Sequence, residues 1–263
     1  MSKEKIILFI TEGEKLDKKI LKNIKSIFLP NKEVRIFPLC LNIYNLYKKI
    51  NFYNEEIGMD STDILPVIQE ISKEQTNSTD QDFLSLKRNQ VSEIYLFFDH
   101  DGHDTSIPED EGKYNCINNM LNLFNNETDN GKLYINYPMI ESYKHPISKN
   151  IEIEKIYSDS HYKNRVSKIC QNKHLHINRF SKDDWLKLLL PHLKSGYYLL
   201  NNKFLLPDEY RDFNNISQLN IHKKQYEKHI NERQEIMVLS SFSFLLLEYF
   251  GEPIFLEWKN IEH

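Results

Sequence analysis

Apolar residues run without a break from Ile6 to Ile10, and polar residues follow at once. A short, uninterrupted run of this kind predicts a strand buried on both faces. After the turn TEGEK, apolar positions return at Leu16, Ile20, Leu21, Ile24, Ile27 and Phe28, the spacing of one helix face. Pro30 and Asn31 end that helix, and Glu33 to Leu39 reads as a second strand. Ile43, Leu46, Tyr47 and Ile50 mark a second helix. Ile64, Leu65, Ile68 and Ile71 mark a third, with Ser61, Thr62 and Asp63 as candidate caps. The polar stretch Thr76 to Asp82 predicts a loop, and Glu93 to Phe98 a third buried strand. A helix carrying Tyr114, Ile117, Leu121 and Phe124 follows, then a turn and a fourth strand from Lys132 to Tyr137.

Strands that alternate with helices predict an α/β fold with a mostly parallel sheet. After Pro146 the pattern turns mainly helical. Ser181-x-x-Asp184 there resembles a capping box, and a long helical region is expected from about Ile221 to Phe250. The chain is therefore divided at 1–145, an α/β domain, and 146–263, a helical domain. FSFLLLEYF, from Phe242, is apolar on nearly all sides and is expected in a core.

Composition narrows the function classes. The 263 residues are enough for a sizeable core, and 40% hydrophobic with 27% charged residues is ordinary for a globular protein. A formal charge of −4 gives no global attraction to nucleic acid, so a polyanionic partner needs local patches or bound metal. Cys40, Cys116 and Cys170 are scattered, with no CxxC pair, which fits a reducing compartment and gives no zinc signature. No apolar stretch is long enough to span a bilayer and no signal peptide is visible, so a cytoplasmic protein without a membrane partner is expected.

The candidate chemistry sits at strand ends, where open α/β sheets bind ligands. The first strand delivers Glu12 and Glu14, with Asp17 just inside the helix. The third delivers Asp99, Asp101 and Asp104 in FFDHDGHD, and the fourth delivers Glu141. If these strands are neighbours the carboxylates converge. Two charges about 4 Å apart repel by roughly 4 kcal/mol at an effective dielectric near 20. A cluster of this kind takes up protons or a cation, and all-oxygen ligands select a hard ion, Mg²⁺ or Mn²⁺. Gly13 and Gly102 would let the backbone turn tightly and leave room for phosphate. Lys144 could reach a phosphate or lie on the surface. His100 and His103 are read as loop residues that tune charge. An EF-hand is excluded, because its sixth loop position, counted from Asp99, is Asp104 rather than glycine. Lys203, Arg211, Lys223, Lys224, Lys228 and Arg233 form either a basic face or an ordinary solvated helix surface.

Glu12-Gly13 after one strand and Asp99-x-Asp101 after a later one resemble the two motifs of the toprim domain. TEGEKLD is similar to the opening of the stand-alone OLD-type and RloB-type proteins, and INYPMIES to that group's late acidic motif. The resemblance covers roughly residues 5 to 145. It implies a toprim-like sheet flanked by helices and a Mg²⁺- or Mn²⁺-dependent endonuclease acting on DNA or RNA. Glu12 would be a ligand or general base, Asp99 and Asp101 ligands, and Asp17 and Glu141 would help hold a second ion. It further implies a toxic effector in anti-phage defence, with any ATPase or regulatory partner on a separate chain. A homodimer would suit two cut sites. The segment from Asn51 to Gln90 is long for a minimal toprim core, and residues after 146 match no pattern. Two rivals remain. FFDHDGHD comes close to the DxDGT signature of haloacid-dehalogenase-like phosphatases, with His103 in place of threonine, and a toprim-like fold can also serve as a non-catalytic binding module.

Overall fold

The computed structural model describes residues 5–55, 63–75, 80–107, 110–148, 150–156, 161–213 and 215–262. It is an α/β protein with a mostly parallel five-stranded sheet flanked by helices, followed by a helical C-terminal region. Its contacts fall into two compact units. One holds residues up to Phe98 together with Asn119–Leu133; the other holds Asp99–Asn118 and the chain from Tyr134 onward.

In the first unit, β1 (Ile6–Thr11) is buried along its whole length. Helix α1 (Leu16–Phe28) turns Ile20, Leu21, Ile24 and Phe28 inward, as the spacing predicts. β2 (Val34–Pro38) pairs parallel to β1. Two helices follow, α2 (Ile43–Glu55) and α3 (Ile64–Gln75). The caps expected at Ser61 and Thr62 lie outside the described residues, whereas Asp63 Oδ1 accepts from the Leu65 N–H at 3.1 Å. The stretch beyond α3 is held by a buried amide: Gln69 Nε2 donates to the carbonyls of Phe83 and Leu86. Phe83, in the short helix α4 (Gln81–Leu84), stacks on Phe37 of β2 at 3.7 Å. β3 (Val91–Asp99) then pairs parallel to β1 on its other edge. Phe9 meets Tyr95 and Phe97 edge-on between these two strands, an arrangement favoured by the ring quadrupoles.

After α5 (Asp110–Leu123), β4 (Asn125–Asn126) and β5 (Gly131–Asn136) form a tight antiparallel pair. The sheet order is β2-β1-β3-β5-β4, which puts β1 and β3 side by side in its interior.

The second unit is organised around long helices. β6 (Ile153–Lys155) precedes α6 (Tyr162–Ile169) and the 20-residue α7 (Lys182–Asn201). The capping box is present in both directions: the Ser181 hydroxyl accepts from the Asp184 N–H, and Asp184 Oδ2 accepts from the Ser181 N–H. Helix α8 (Gln218–Gln225) runs through a π-helical turn, Tyr226–Ile230, into α9 (Asn231–Arg233).

The helix expected to continue to Phe250 stops here. Gln234 adopts a left-handed backbone (φ +52°), and β7 (Glu235–Met237) pairs antiparallel with β6. The reason lies in Ile236 to Leu239, four consecutive fully buried residues. Four buried neighbours in a row do not fit a one-faced surface helix, and the pairing with β6 takes up the backbone of 235–237 as strand. The Gln225 side chain completes the arrangement, with Nε2 donating to the Met237 carbonyl and Oε1 accepting from its N–H. FSFLLLEYF forms α10 (Ser241–Phe250), whose residues 241 to 247 are all buried, and α11 (Glu252–Glu262) packs beside it on α7. Trp258 Nε1 donates to the Leu186 carbonyl at 3.0 Å. Among the described residues no helix is long and apolar enough to cross a membrane.

Candidate functional site

The carboxyl ends of β1 and β3 are locked in register. The Glu12 N–H donates to the Phe97 carbonyl at 3.0 Å, extending the ladder one residue beyond β1. Two residues further along β3 comes Asp99. Side chains alternate along a strand, so Asp99 shares the orientation of Phe97. One carboxylate oxygen from each of Glu12, Asp99 and Asp101 lies within 4.8 Å of the other two, and all three residues are half-buried. Among the described residues no other group of three His, Cys, Asp or Glu side chains meets that condition.

The backbone at residue 101 makes this possible. Asp101 has a left-handed conformation (φ +43°), uncommon for a residue with a side chain but tolerated by Asp. Its carbonyl accepts from the Asp104 N–H at 2.9 Å, and the Asp104 carboxylate accepts from the Ser106 N–H at 2.7 Å. The chain thus turns back immediately after the strand instead of carrying residue 101 away. Behind the turn, Lys113 is buried and its Nζ donates to the Gly102 carbonyl at 2.7 Å. A Cβ at Gly102 would lie 2.3 Å from Ile156 Cγ2, so the glycine is required by close packing.

Gly13 is required for another reason. Its N–H donates to Asp17 Oδ1 at 3.3 Å, and a Cβ there would lie 2.6 Å from Asp17 Oδ2. The Thr11 hydroxyl donates to the Gly13 carbonyl at 2.8 Å. Asp17 is buried in the first turn of α1, where a carboxylate complements the helix dipole. Its carboxylate is engaged in the turn and is not part of the three-acid cluster. Glu141 is also buried, in the 3₁₀ turn Ile140–Lys144, and faces Lys163 Nζ at 3.3 Å. Lys144, open in the sequence between a phosphate contact and a surface position, is buried, with Nζ donating to Ser167 Oγ at 2.9 Å.

One group beside the cluster was not singled out from sequence. Asn136, at the end of β5, is buried; its Nδ2 donates to Asp99 Oδ1 at 3.4 Å. Its Oδ1 accepts from both the N–H and the hydroxyl of Ser241, which fixes the orientation of the amide. Its main-chain carbonyl accepts from the His100 N–H. The only sequence signal is an Asn directly after the apolar run Leu133–Ile135. His100, expected to tune charge from its loop, is instead held neutral: burial, with His222 and Lys113 nearby, pushes it down to about 3. Its tuning of the site is therefore not by charge. His103 is exposed.

Three carboxylates at this separation repel by about 3 kcal/mol per pair at an effective dielectric near 20. A divalent ion bound by oxygens at about 2.1 Å places opposite ligands about 4.2 Å apart. The spacing thus fits a shared cation after small side-chain adjustments, and the donor set is that of a hard ion. No family model matches the chain, and no curated protein or solved structure matches it either.

Proposed function

We propose that this chain is a metal-dependent nuclease that cleaves phosphodiester bonds in DNA or RNA, using Mg²⁺ or Mn²⁺ at Glu12, Asp99 and Asp101. The observation that carries the reading is the approach of those three carboxylates at the ends of adjacent parallel strands. A bound divalent ion supplies Lewis acidity to the phosphoryl oxygen and a lowered pKa to its water. The protein's part is positional. Asn136 orients Asp99, the left-handed turn returns Asp101 to the strand end, and the ladder bond to Phe97 holds the Glu12 backbone at the end of β1. Glu12, on the separate strand, is the group we assign to accept a proton from the attacking water.

The toprim resemblance supports the same reading, since its two motifs are the two turns that supply these acids. In that reading Asp17 and Glu141 hold a second ion, which must compete with the Gly13 amide and the Lys163 ammonium for their oxygens. A phosphate contact by Lys144 requires release from Ser167. A role as an effector of antiviral defence, with a regulatory or ATPase chain as partner and a homodimer as the working form, rests on the resemblance.

The test is cleavage of plasmid, single-stranded DNA and total RNA in Mn²⁺ or Mg²⁺, beside a chromogenic phosphomonoester. Polymer cleavage abolished by EDTA and reduced at least a hundredfold in Asp99→Ala and Glu12→Ala is expected. Turnover of the monoester alone, insensitive to Glu12→Ala, would replace the nuclease with a phosphatase that uses Asp99 as nucleophile.

A further inference from the structure

From His161 to Lys182 the chain carries six Lys or Arg and three His residues and no acid at all. The whole chain has 34 basic against 38 acidic residues, so this +6 segment leaves −10 on the remainder. The concentration is therefore local, as a polyanion-binding surface requires in an acidic protein.

The cations are grouped in space as well. Lys173, His176 and Arg179 line one cleft together with Phe180 and Asp184. Lys173 also borders a second cleft of about 270 Å³, with Lys187 and the apolar walls of Ile147, Leu188 and Pro191. Lys173 is thus shared by two adjacent clefts. The acids nearby are weak competitors. Lys173 Nζ stands 3.7 Å from Asp184, whose other oxygen is held by the α7 cap, and Lys187 Nζ stands 3.9 Å from Asp183. Exposed pairs of this kind contribute about 0–1 kcal/mol and give way readily to phosphate. Among the described residues no ion pair is formed by Lys168 or Arg179, both exposed. Ile169 and Leu175, which fall between these cations in the sequence, are exposed.

We infer that this surface docks a single-stranded nucleic acid, with phosphates on Lys173, Arg179 and Lys187. Unstacked bases lie on the planar His176 and Arg179 groups and the apolar cleft walls. Cations beside apolar and planar surfaces suit an unpaired strand, whereas a duplex hides its base faces. The inference rests on the nuclease reading for the use made of the docked strand, and names that reading's substrate class.

The experiment measures binding apart from cleavage. Fluorescent single-stranded 12-mers of DNA and of RNA are titrated with the full chain in EDTA, from 50 to 300 mM salt, by anisotropy. The triple variant Lys173→Ala/Arg179→Ala/Lys187→Ala should bind at least about 10-fold more weakly at 100 mM salt. Its log K against log salt slope should be shallower by about 2, since each single-strand phosphate contact adds about 0.7. A charge-matched control, Lys203→Ala/Lys223→Ala/Lys224→Ala, should stay within twofold of wild type. Stronger binding to DNA or to RNA names the polymer. An unchanged slope in the first variant, an equal loss in the control, or tighter binding to a blunt duplex would overturn the inference. So would displacement of the strand by poly-glutamate at equal charge, which would assign the surface to an acidic protein. A wild type that binds through this surface yet cleaves nothing in Mn²⁺ would sink the nuclease reading and leave the docking surface standing.

Discussion

Asn136 donates its side-chain amide to Asp99 while accepting two hydrogen bonds from Ser241, so the acid at the end of β3 is oriented from the first residue of α10. Removing that link should matter twice. Asn136→Ala leaves the buried Ser241 donors unsatisfied, which costs about 1–3 kcal/mol. It also frees Asp99 to rotate, and should weaken Mn²⁺ binding by about tenfold in calorimetry. Ser241→Ala, which keeps the backbone donor, should lose less of both.

Charge repulsion in the three-acid cluster gives an effect of opposite sign with and without metal. In EDTA, Glu12→Gln removes one of three like charges, and after screening should gain roughly 1 kcal/mol, about 2–4 °C in Tm. In 10 mM Mg²⁺ the wild type should gain more than the variant, because ligand binding stabilises in proportion to affinity. Thermal melts in both buffers check this; equal metal-induced shifts would argue against Glu12 as a ligand.

Two buried histidines outside the cluster set the acid limit. Burial pushes His192 down to about 3 and His222 to about 4. Both are neutral when folded. His192 Nδ1 accepts from the Ser240 N–H, so its proton sits on Nε2. The unfolded chain binds protons near pH 6.5, so the stability from neutral His222 is fully present above that and is lost as pH falls toward about 4. The full loss is on the order of 3 kcal/mol for His222 and on the order of 5 kcal/mol for His192. Urea unfolding at pH 7, 5.5 and 4.5 should show the decline, and His222→Gln should flatten it.

Gly102 and Ile156 should couple. Gly102→Ala drives a methyl into Ile156 Cγ2 and should cost about 1–3 kcal/mol. Ile156→Leu, which removes the methyl at Cβ, should recover a part of that in a double-mutant cycle. Additive losses would show that the strain lies in the 99–102 turn itself.

The strands that carry the acids were legible because each is a buried run without interruption, and the Ser181 cap because its partners are three residues apart. What failed was non-local. Asn136 reaches Asp99 only because β5 lies beside β3, a pairing no local pattern states. Gln234 and β7 interrupt the last helix because β6, some eighty residues earlier, offers a partner. Local pattern offers Lys144 either a phosphate or the surface, because a basic residue is usually exposed, whereas here it is buried and Ser167 accepts from its ammonium. The basic run from His161 was visible in composition, but only the clefts show that its cations share surfaces.

The left-handed backbone at Asp101 restricts what descent can do with that position. Of the twenty residues, only Gly, Asn and Asp enter this conformation routinely. A lineage that discards the acid can most cheaply drift to Asn, which retains an oxygen in the same direction, or to Gly, which retains none. A valine or isoleucine there would mark a loop that has been rebuilt, and with it a different trade for the molecule.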